Sequence, residues 1–232
     1  MARGLVGHFP SSWKYAEENA SVEVWLTIHG RRAWCGLRLS DRTMRHRSYK
    51  LEHLPASLRP TVAAAMVRLL HPRPKQIILD PLCGAGTLLA ELLDAWRRTR
   101  VSRDRPDIFV LGGDIDSGAL RAARGNLQRL GPCSLIRWDA TRLPLPDHCV
   151  DGIFSNPPFG KQLGRAEEMR SFYAALIREL NRVLRTRGQA ALLVSDFNAL
   201  KEAASKLGWQ LVRQFRTRIL GQLATLSLWQ TR

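Results

Sequence analysis

The chain has 232 residues, 45% hydrophobic and 24% charged, which fits one ordinary globular domain with a small appendage and excludes a disordered polyelectrolyte. Its 36 Lys+Arg against 20 Asp+Glu give a formal charge of +16, which points to a polyanionic partner, either nucleic acid or an acidic membrane surface; a solubility bias or genome usage is the plainer reading. No apolar run reaches the roughly 18 residues of a membrane span, the first residues lack a signal-peptide core, and Cys35, Cys83, Cys133 and Cys149 form neither a zinc spacing nor a disulfide framework. The expectation is a soluble, cytoplasmic, metal-free protein. Most of the excess charge is arginine, whose planar fork suits phosphate and stacks on bases.

Residues 1–50 read as an N-terminal extension: a strand pair at 22–29 and 33–39 joined through Gly30-Arg31, then a basic stretch over 40–50. Residues 51–232 read as the main domain. A helix is predicted over 58–70, opened by Arg59-Pro60 and ended near His71-Pro72. Strands at 76–80, 109–113, 134–137, 150–154 and 189–194 then alternate with helices at 88–96, 117–130, 171–184 and 199–207. Two further strands, 210–215 and 225–229, follow without a helix between them and so should pair antiparallel. This alternation means a doubly wound, mainly parallel α/β sheet, with an Arg-rich loop over 97–107.

Ligands of such a sheet sit beyond the carboxyl ends of its strands. The first strand ends in Asp80-Pro81-Leu82-Cys83-Gly84-Ala85-Gly86-Thr87, where two glycines allow a sharp turn and a close backbone approach. The dinucleotide fingerprint is not met, because its third glycine would fall at Leu89, and no Gly-Lys-Ser/Thr follows for a phosphate loop. A tight turn without a ligand explains the two glycines equally well. The second strand ends in Gly113-Asp114-Ile115-Asp116. Asp114 is expected to accept the hydroxyls of a ribose and Asp116 to cap the next helix. The third ends in Trp138-Asp139-Ala140, where a carboxylate and the following N–H can read an adenine edge. Three acidic strand ends outline an adenosine pocket without a pyrophosphate cradle.

The fourth strand runs into Asn156-Pro157-Pro158-Phe159-Gly160. Two prolines stiffen the backbone and remove two N–H donors, which leaves the Asn156 side-chain oxygen and the Pro157 carbonyl as acceptors for one –NH₂. Phe159 offers a face for the base that carries this amine. A ring-conjugated amine is a poor nucleophile, and two acceptors can aim its lone pair and stabilise the positive charge that develops on it. A proline-stiffened loop is the bland alternative.

These motifs resemble the class I S-adenosylmethionine-dependent methyltransferases, and within them the catalytic half of the THUMP-domain tRNA guanine-N2 methyltransferases. The segment Tyr49-Lys50 and His53-Leu54-Pro55-Ala56-Ser57-Leu58-Arg59-Pro60-Thr61-Val62-Ala63 resembles what precedes the first strand in that family. The resemblance implies S-adenosylmethionine as cofactor, with Ala56, Ser57, Leu58, Thr87 and the backbone of residues 83–86 against its methionine part. It also implies a seven-stranded Rossmann-like sheet of order 3-2-1-4-5-7-6, counted from the strand at 76–80, with an antiparallel seventh strand. The expected cofactor-binding set is therefore Ala56, Ser57, Leu58, Asp80, Pro81, Cys83, Gly84, Gly86, Thr87, Asp114, Ile115, Asp139, Ala140 and Asn156. Asn156, Pro157 and Phe159 are the expected catalytic residues.

Many relatives carry Asp and Tyr where this chain has Asn156 and Phe159, a change that keeps acceptor and stacking but drops a charge and a hydroxyl. Fewer than 50 residues precede the matching core, too few for a whole THUMP domain. Either a separate subunit docks the RNA, or basic segments at 31–50, 97–105 and 213–218 replace it. The expected reaction is methylation of guanine N2, in tRNA or ribosomal RNA. An adenine-N6 methyltransferase on RNA or DNA fits the same four residues. A protein glutamine methyltransferase shares the motif without needing +16, and a non-catalytic RNA-binding adaptor that kept the fold is the alternative of a different class.

Overall fold

The computed structural model describes residues 8, 10–16, 20–38, 46–55, 57–99, 108–159, 166–219 and 221–232. The chain divides into two compact units, residues 1–46 and 47–232. In the first, β1 (Glu23–His29) and β2 (Arg32–Arg38) pair antiparallel through a turn at Gly30, whose φ of 60° suits a residue without Cβ. Glu23 pairs with Arg38, and the Arg38 guanidinium lies 5.7 Å from the centre of the Trp25 ring. The last residue of the expected second strand, Leu39, and the basic residues 40–45 lie outside the described residues.

In the second unit, α1 (Pro60–Leu70) begins at its proline, two residues after the predicted start, because φ of Pro is already helical at the first position. Ala63, Met66, Val67 and Leu70 form its buried stripe, and His71 ends it in the left-handed conformation just before Pro72. Then follow β3 (Ile77–Asp80), α2 (Thr87–Thr99), β4 (Phe109–Asp114), α3 (Ser117–Leu127), β5 (Ser134–Arg137) and β6 (Val150–Ser155). The second half adds α4 (Ala166–Val183), β7 (Leu184–Val194), α5 (Phe197–Lys206), β8 (Gln210–Ile219) and β9 (Gln222–Gln230). Of the predicted Arg-rich loop, residues 97–99 belong to α2 and residues 100–107 lie outside the described residues.

The seven-stranded sheet has the order β5-β4-β3-β6-β7-β9-β8. All pairs among β3 to β7 are parallel, and β9 is antiparallel to both neighbours. This is the expected 3-2-1-4-5-7-6 order. Side chains of successive strand residues serve opposite faces, so Ile78, Phe154 and Leu193 pack with α1, α2 and α3, whereas Leu79, Ile153 and Leu192 pack with α4 and α5. Several elements outrun their predicted bounds, among them β7, which starts at Leu184 rather than at 189, and α2, which runs to Thr99. α4 starts at Ala166, because Glu167 and Glu168 suit a helix N-terminus and Met169 anchors that first turn in the core. β8 and β9 extend to a turn at Gly221, past the apolar stretches that identified them. Among the described residues no helix is long and apolar enough to cross a membrane.

Candidate functional site

The parallel strands deliver polar residues to one end of the sheet: Asp80 from β3, Asp114 from β4, and Ser155 with Asn156 from β6. Between β3 and α2 the chain turns through Gly84 and Gly86, at φ of 52° and 75°. A Cβ on Gly86 would lie 3.2 Å from Ala123 Cβ, so this glycine permits close contact with α3. The turn is held by four backbone donors. Leu82 N–H donates to Asp80 Oδ1 at 3.2 Å, Cys83 N–H to the Gly113 carbonyl at 2.9 Å, Gly84 N–H to Asp114 Oδ2 at 2.9 Å, and Gly86 N–H to the Cys83 carbonyl at 2.8 Å. Asp114 Oδ1 also accepts from Asp116 N–H, and Asp116 caps α3 by accepting from Gly118 N–H at 2.7 Å.

A cavity of about 550 Å³ opens on this turn. Ser57, Leu58, Asp80, Cys83, Gly84, Thr87, Asp114, Ile115, Asn156, Pro157 and Phe159 line it, so most of the expected residues meet in one place. Four do not line it. Gly86 faces α3, the Pro81 carbonyl accepts from Trp138 Nε1–H at 3.0 Å, and Ala140 is packed in the core. Asp139 is exposed and turned onto its neighbour: Oδ1 accepts from Thr141 N–H at 2.8 Å and from its hydroxyl at 2.7 Å. Those two bonds hold its carboxyl below the usual range. Ala56 lies outside the described residues. Of the three expected acidic strand ends, Asp80 and Asp114 line the cavity, whereas Asp139 follows β5 in a tight turn that bridges it to Arg142.

Two buried polar atoms of the cavity lining have no hydrogen-bond partner among the described residues: Asp80 Oδ2 and Asn156 Oδ1. A buried acceptor left unpaired costs about 1–3 kcal/mol, and at a cavity wall it marks where a ligand donor belongs. Asp80 is fully enclosed, and desolvation, assisted by the nearby Asp114 charge, pushes its carboxyl up to about 8 against bonds from Leu82 and Ser155. Burial likewise raises the Cys83 thiol, which makes it a packing residue rather than a nucleophile.

Several contributors were not legible from the sequence. Ile219 and Gln222 reach the cavity from the β8–β9 turn, and Leu88 and Ala119 from the first turns of α2 and α3. The segment before α1, whose Leu54, Pro55, Ser57 and Leu58 line the cavity, is anchored from two sides. Asn126 Oδ1 accepts from Leu51 N–H and Glu52 N–H, both at 2.8 Å, while Nδ2 donates to the Glu52 and Ala85 carbonyls. Glu91, buried in α2, accepts from Tyr49 OH at 2.6 Å and Arg47 Nε at 2.7 Å. Burial and this carboxylate raise the Tyr49 phenol. The one available signal was an acid inside the apolar run Leu88-Leu89-Ala90-Glu91-Leu92-Leu93, which demands a buried partner.

Residues 47–225 match the model of the RMKL-like methyltransferase domain. The tRNA (guanine(6)-N(2))-methyltransferase THUMP3 of Bos taurus is 32% identical over 234 residues, covering 93% of this chain and 44% of the relative. The U6 snRNA (guanine-N(2))-methyltransferase THUMPD2 of Mus musculus is 31% identical over 187 residues, covering 79% of this chain and 32% of the relative. The crystal structure of TrmN from Thermus thermophilus superposes with a TM-score of 0.72 at 28% identity, covering 93% of this chain and 61% of that one. The chain thus spans less than half the length of these two curated relatives. With a family match over nearly the whole second unit, on a sheet whose cavity gathers the motif residues, the chain belongs to the RMKL-like methyltransferase-domain family.

Proposed function

We propose that this chain is an S-adenosylmethionine-dependent RNA methyltransferase that transfers a methyl group to guanine N2, with tRNA as substrate. The observation that carries this reading is the unpartnered, buried Asn156 Oδ1 at the wall of a cavity shared with the Asp80–Thr87 turn. Two curated relatives named as guanine-N2 methyltransferases of tRNA and of U6 snRNA support the base and the class of nucleic acid. The charge of +16 supports a polyanionic substrate. A reducing compartment, the cytoplasm, suits the four free cysteines.

The residues present fit the cofactor. Asp80 Oδ2, enclosed and without a donor, suits the ammonium of its methionine part, and a cation there brings the Asp80 carboxyl back down into its ionised form. Asp114 keeps lone pairs free beside its two backbone bonds for the ribose hydroxyls, and the small residues at Gly84 and Ala85 allow close approach. When bound, S-adenosylmethionine supplies a methyl group activated by a sulfonium centre.

This chain's residues then position the nucleophile. Asn156 Oδ1 and the Pro157 carbonyl accept the two N–H bonds of the exocyclic amine and direct its lone pair toward the cavity. As the new N–C bond forms, nitrogen becomes tetrahedral and positive, and the same two acceptors stabilise its protons. One proton then leaves to water. Phe159, at the cavity rim, offers a stacking face for the base. Pro157 and Pro158 hold this geometry before the base arrives, which lowers the reorganisation needed in the transition state.

The test is Asn156→Ala. Methyl transfer to RNA should fall by about 10²–10³-fold, as for loss of one oriented hydrogen-bonding group in an active site, while cofactor affinity measured by calorimetry changes little. Unchanged turnover would remove Asn156 from this role, and no measurable binding of S-adenosylmethionine to the wild type would overturn the whole reading.

A further inference from the structure

At the other end of the sheet, beside the amino ends of β3, β6 and β7, lies a second groove of about 560 Å³. Arg68 and His71 reach it from the end of α1, Arg73 from the next loop, Arg187 from β7 and Arg213 from β8. None of these four arginines has an ion-pair partner among the described residues. Six arginines elsewhere, Arg38, Arg47, Arg97, Arg98, Arg182 and Arg185, pair with carboxylates. The groove's one carboxylate, Asp151, is already committed: Oδ1 accepts from Arg185 at 2.7 Å, and Oδ2 from Ile77 N–H at 2.8 Å. Four arginines from α1, the loop after it, β7 and β8 therefore line one groove with no ion-pair partner among the described residues.

The backbone is shaped to produce this. The two register shifts of the seven-stranded sheet both fall here, one between Val150 and Gly152 where β7 bulges, the other between Leu211 and Arg213 on β8. Bulges re-aim side chains, and these sit at Arg187 and Arg213. Arg187 is held at φ 62°, a conformation that residues with a Cβ avoid, and a Cβ on the next residue, Gly188, would lie 2.8 Å from the Arg185 carbonyl. A dipole complement at a helix end accounts for Arg68 alone, not for the other three.

We propose that this groove is a remote docking site for the phosphodiester backbone of the RNA whose base enters the cavity at the opposite end. The proposal rests on the reading of the chain as an RNA methyltransferase. Arginine forks suit phosphate oxygens, and Gln76, Gln189 and Gln230 add neutral donors along the same lining. At about 30 Å³ per water the groove holds roughly 19 waters, room for more than one phosphate. The six residues of β6 separate the two ends by about 17 Å at roughly 3.3 Å per residue. At about 3.4 Å per nucleotide, a stacked run of about five nucleotides covers that distance.

The experiment compares the wild type with the quadruple Arg68→Gln, Arg73→Gln, Arg187→Gln, Arg213→Gln variant and with the matching quadruple Lys variant. Binding of bulk tRNA is measured from about 50 to 200 mM KCl, and methyl transfer is measured on tRNA and on a trinucleotide pool. For the Gln variant, tRNA affinity should drop by about 10²–10³-fold, and the slope of log K on log salt should shrink by roughly three. The Lys variant keeps the charge and should recover most of that affinity. Cofactor binding and any transfer to trinucleotides, which as a stacked run are too short to span the two ends, should stay at the wild-type level. Equal tRNA affinity and slope in wild type and Gln variant would overturn the proposal and leave docking to a separate subunit. Inorganic phosphate that binds the wild type but not the Gln variant, with tRNA affinity unchanged, would overturn it in favour of a small-anion site. A wild type that binds tRNA and cofactor without transferring methyl would instead refute the proposed activity and leave the groove test readable.

Discussion

Asn126→Ala probes how the cavity wall is held. The side chain, 2% exposed, makes four hydrogen bonds to backbone groups of two segments: two N–H groups at Leu51 and Glu52, and two carbonyls at Glu52 and Ala85. Alanine removes all four at about 1 kcal/mol each, and water can replace part of the loss at the half-buried Leu51 and Glu52 groups but not at the buried Ala85 carbonyl. The expected cost is about 3 kcal/mol. For a domain of this size each kcal/mol moves the midpoint of thermal unfolding by about 2–4 °C, so a fall of roughly 6–12 °C is expected by differential scanning fluorimetry. Because residues 51 and 52 lead directly to Leu54 and Pro55 on the cavity wall, affinity for S-adenosylmethionine should fall as well. A midpoint within about 2 °C of wild type, with cofactor affinity intact, would show that Asn126 does not anchor this wall.

Gly113→Ala places a Cβ 2.1 Å from Trp138 Cε2 and 2.4 Å from its Nε1, so the indole must move and its bond to the Pro81 carbonyl breaks. Overpacking and a stranded indole N–H together should cost about 2–4 kcal/mol by chemical denaturation and weaken cofactor binding, because Gly113 also receives the Cys83 N–H. Asp80 predicts a pH dependence. Its carboxyl is raised to about 8 in the fold, so between about 4 and about 8 the folded protein keeps a proton that the unfolded chain has lost. Stability of the ligand-free protein is therefore full below about 4, declines as pH rises toward about 8 and then levels. Asp80→Asn should flatten that decline in thermal midpoints, and a slope identical to wild type would contradict the assignment. Addition of S-adenosylmethionine should flatten it too, since an ammonium partner lowers the carboxyl again.

The fold was legible because its two periodicities are strong. Alternating pairs such as Ile78 and Leu79, or Ile153 and Phe154, sit in runs bounded by turn residues, and helices of ordinary length separate them. The bounds of α4, β8 and β9 were shorter in the sequence reading, because Glu167-Glu168 and the Arg-rich 213–218 segment carry no apolar pattern. The cavity was legible wherever a motif residue points from a strand end, as at Asp80, Asp114 and Asn156. Asp139 broke the rule because local capture by Thr141 competes with a ligand for the carboxylate, a choice made by χ angles that sequence does not specify. Asn126 and Glu91 act through partners 30 or more positions away, and the groove arginines come from α1, the loop after it, β7 and β8, so only the fold brings them to their tasks.

The central claim is that the amine of guanine receives the methyl group on the Asn156–Phe159 platform. Its most direct test is incubation of the protein with methyl-labelled S-adenosylmethionine and total RNA, followed by nucleoside analysis of the product. The account predicts label in N2-methylguanosine from the tRNA fraction, abolished by Asn156→Ala. Label in N6-methyladenosine, or none in any RNA fraction while the cofactor binds, would contradict it.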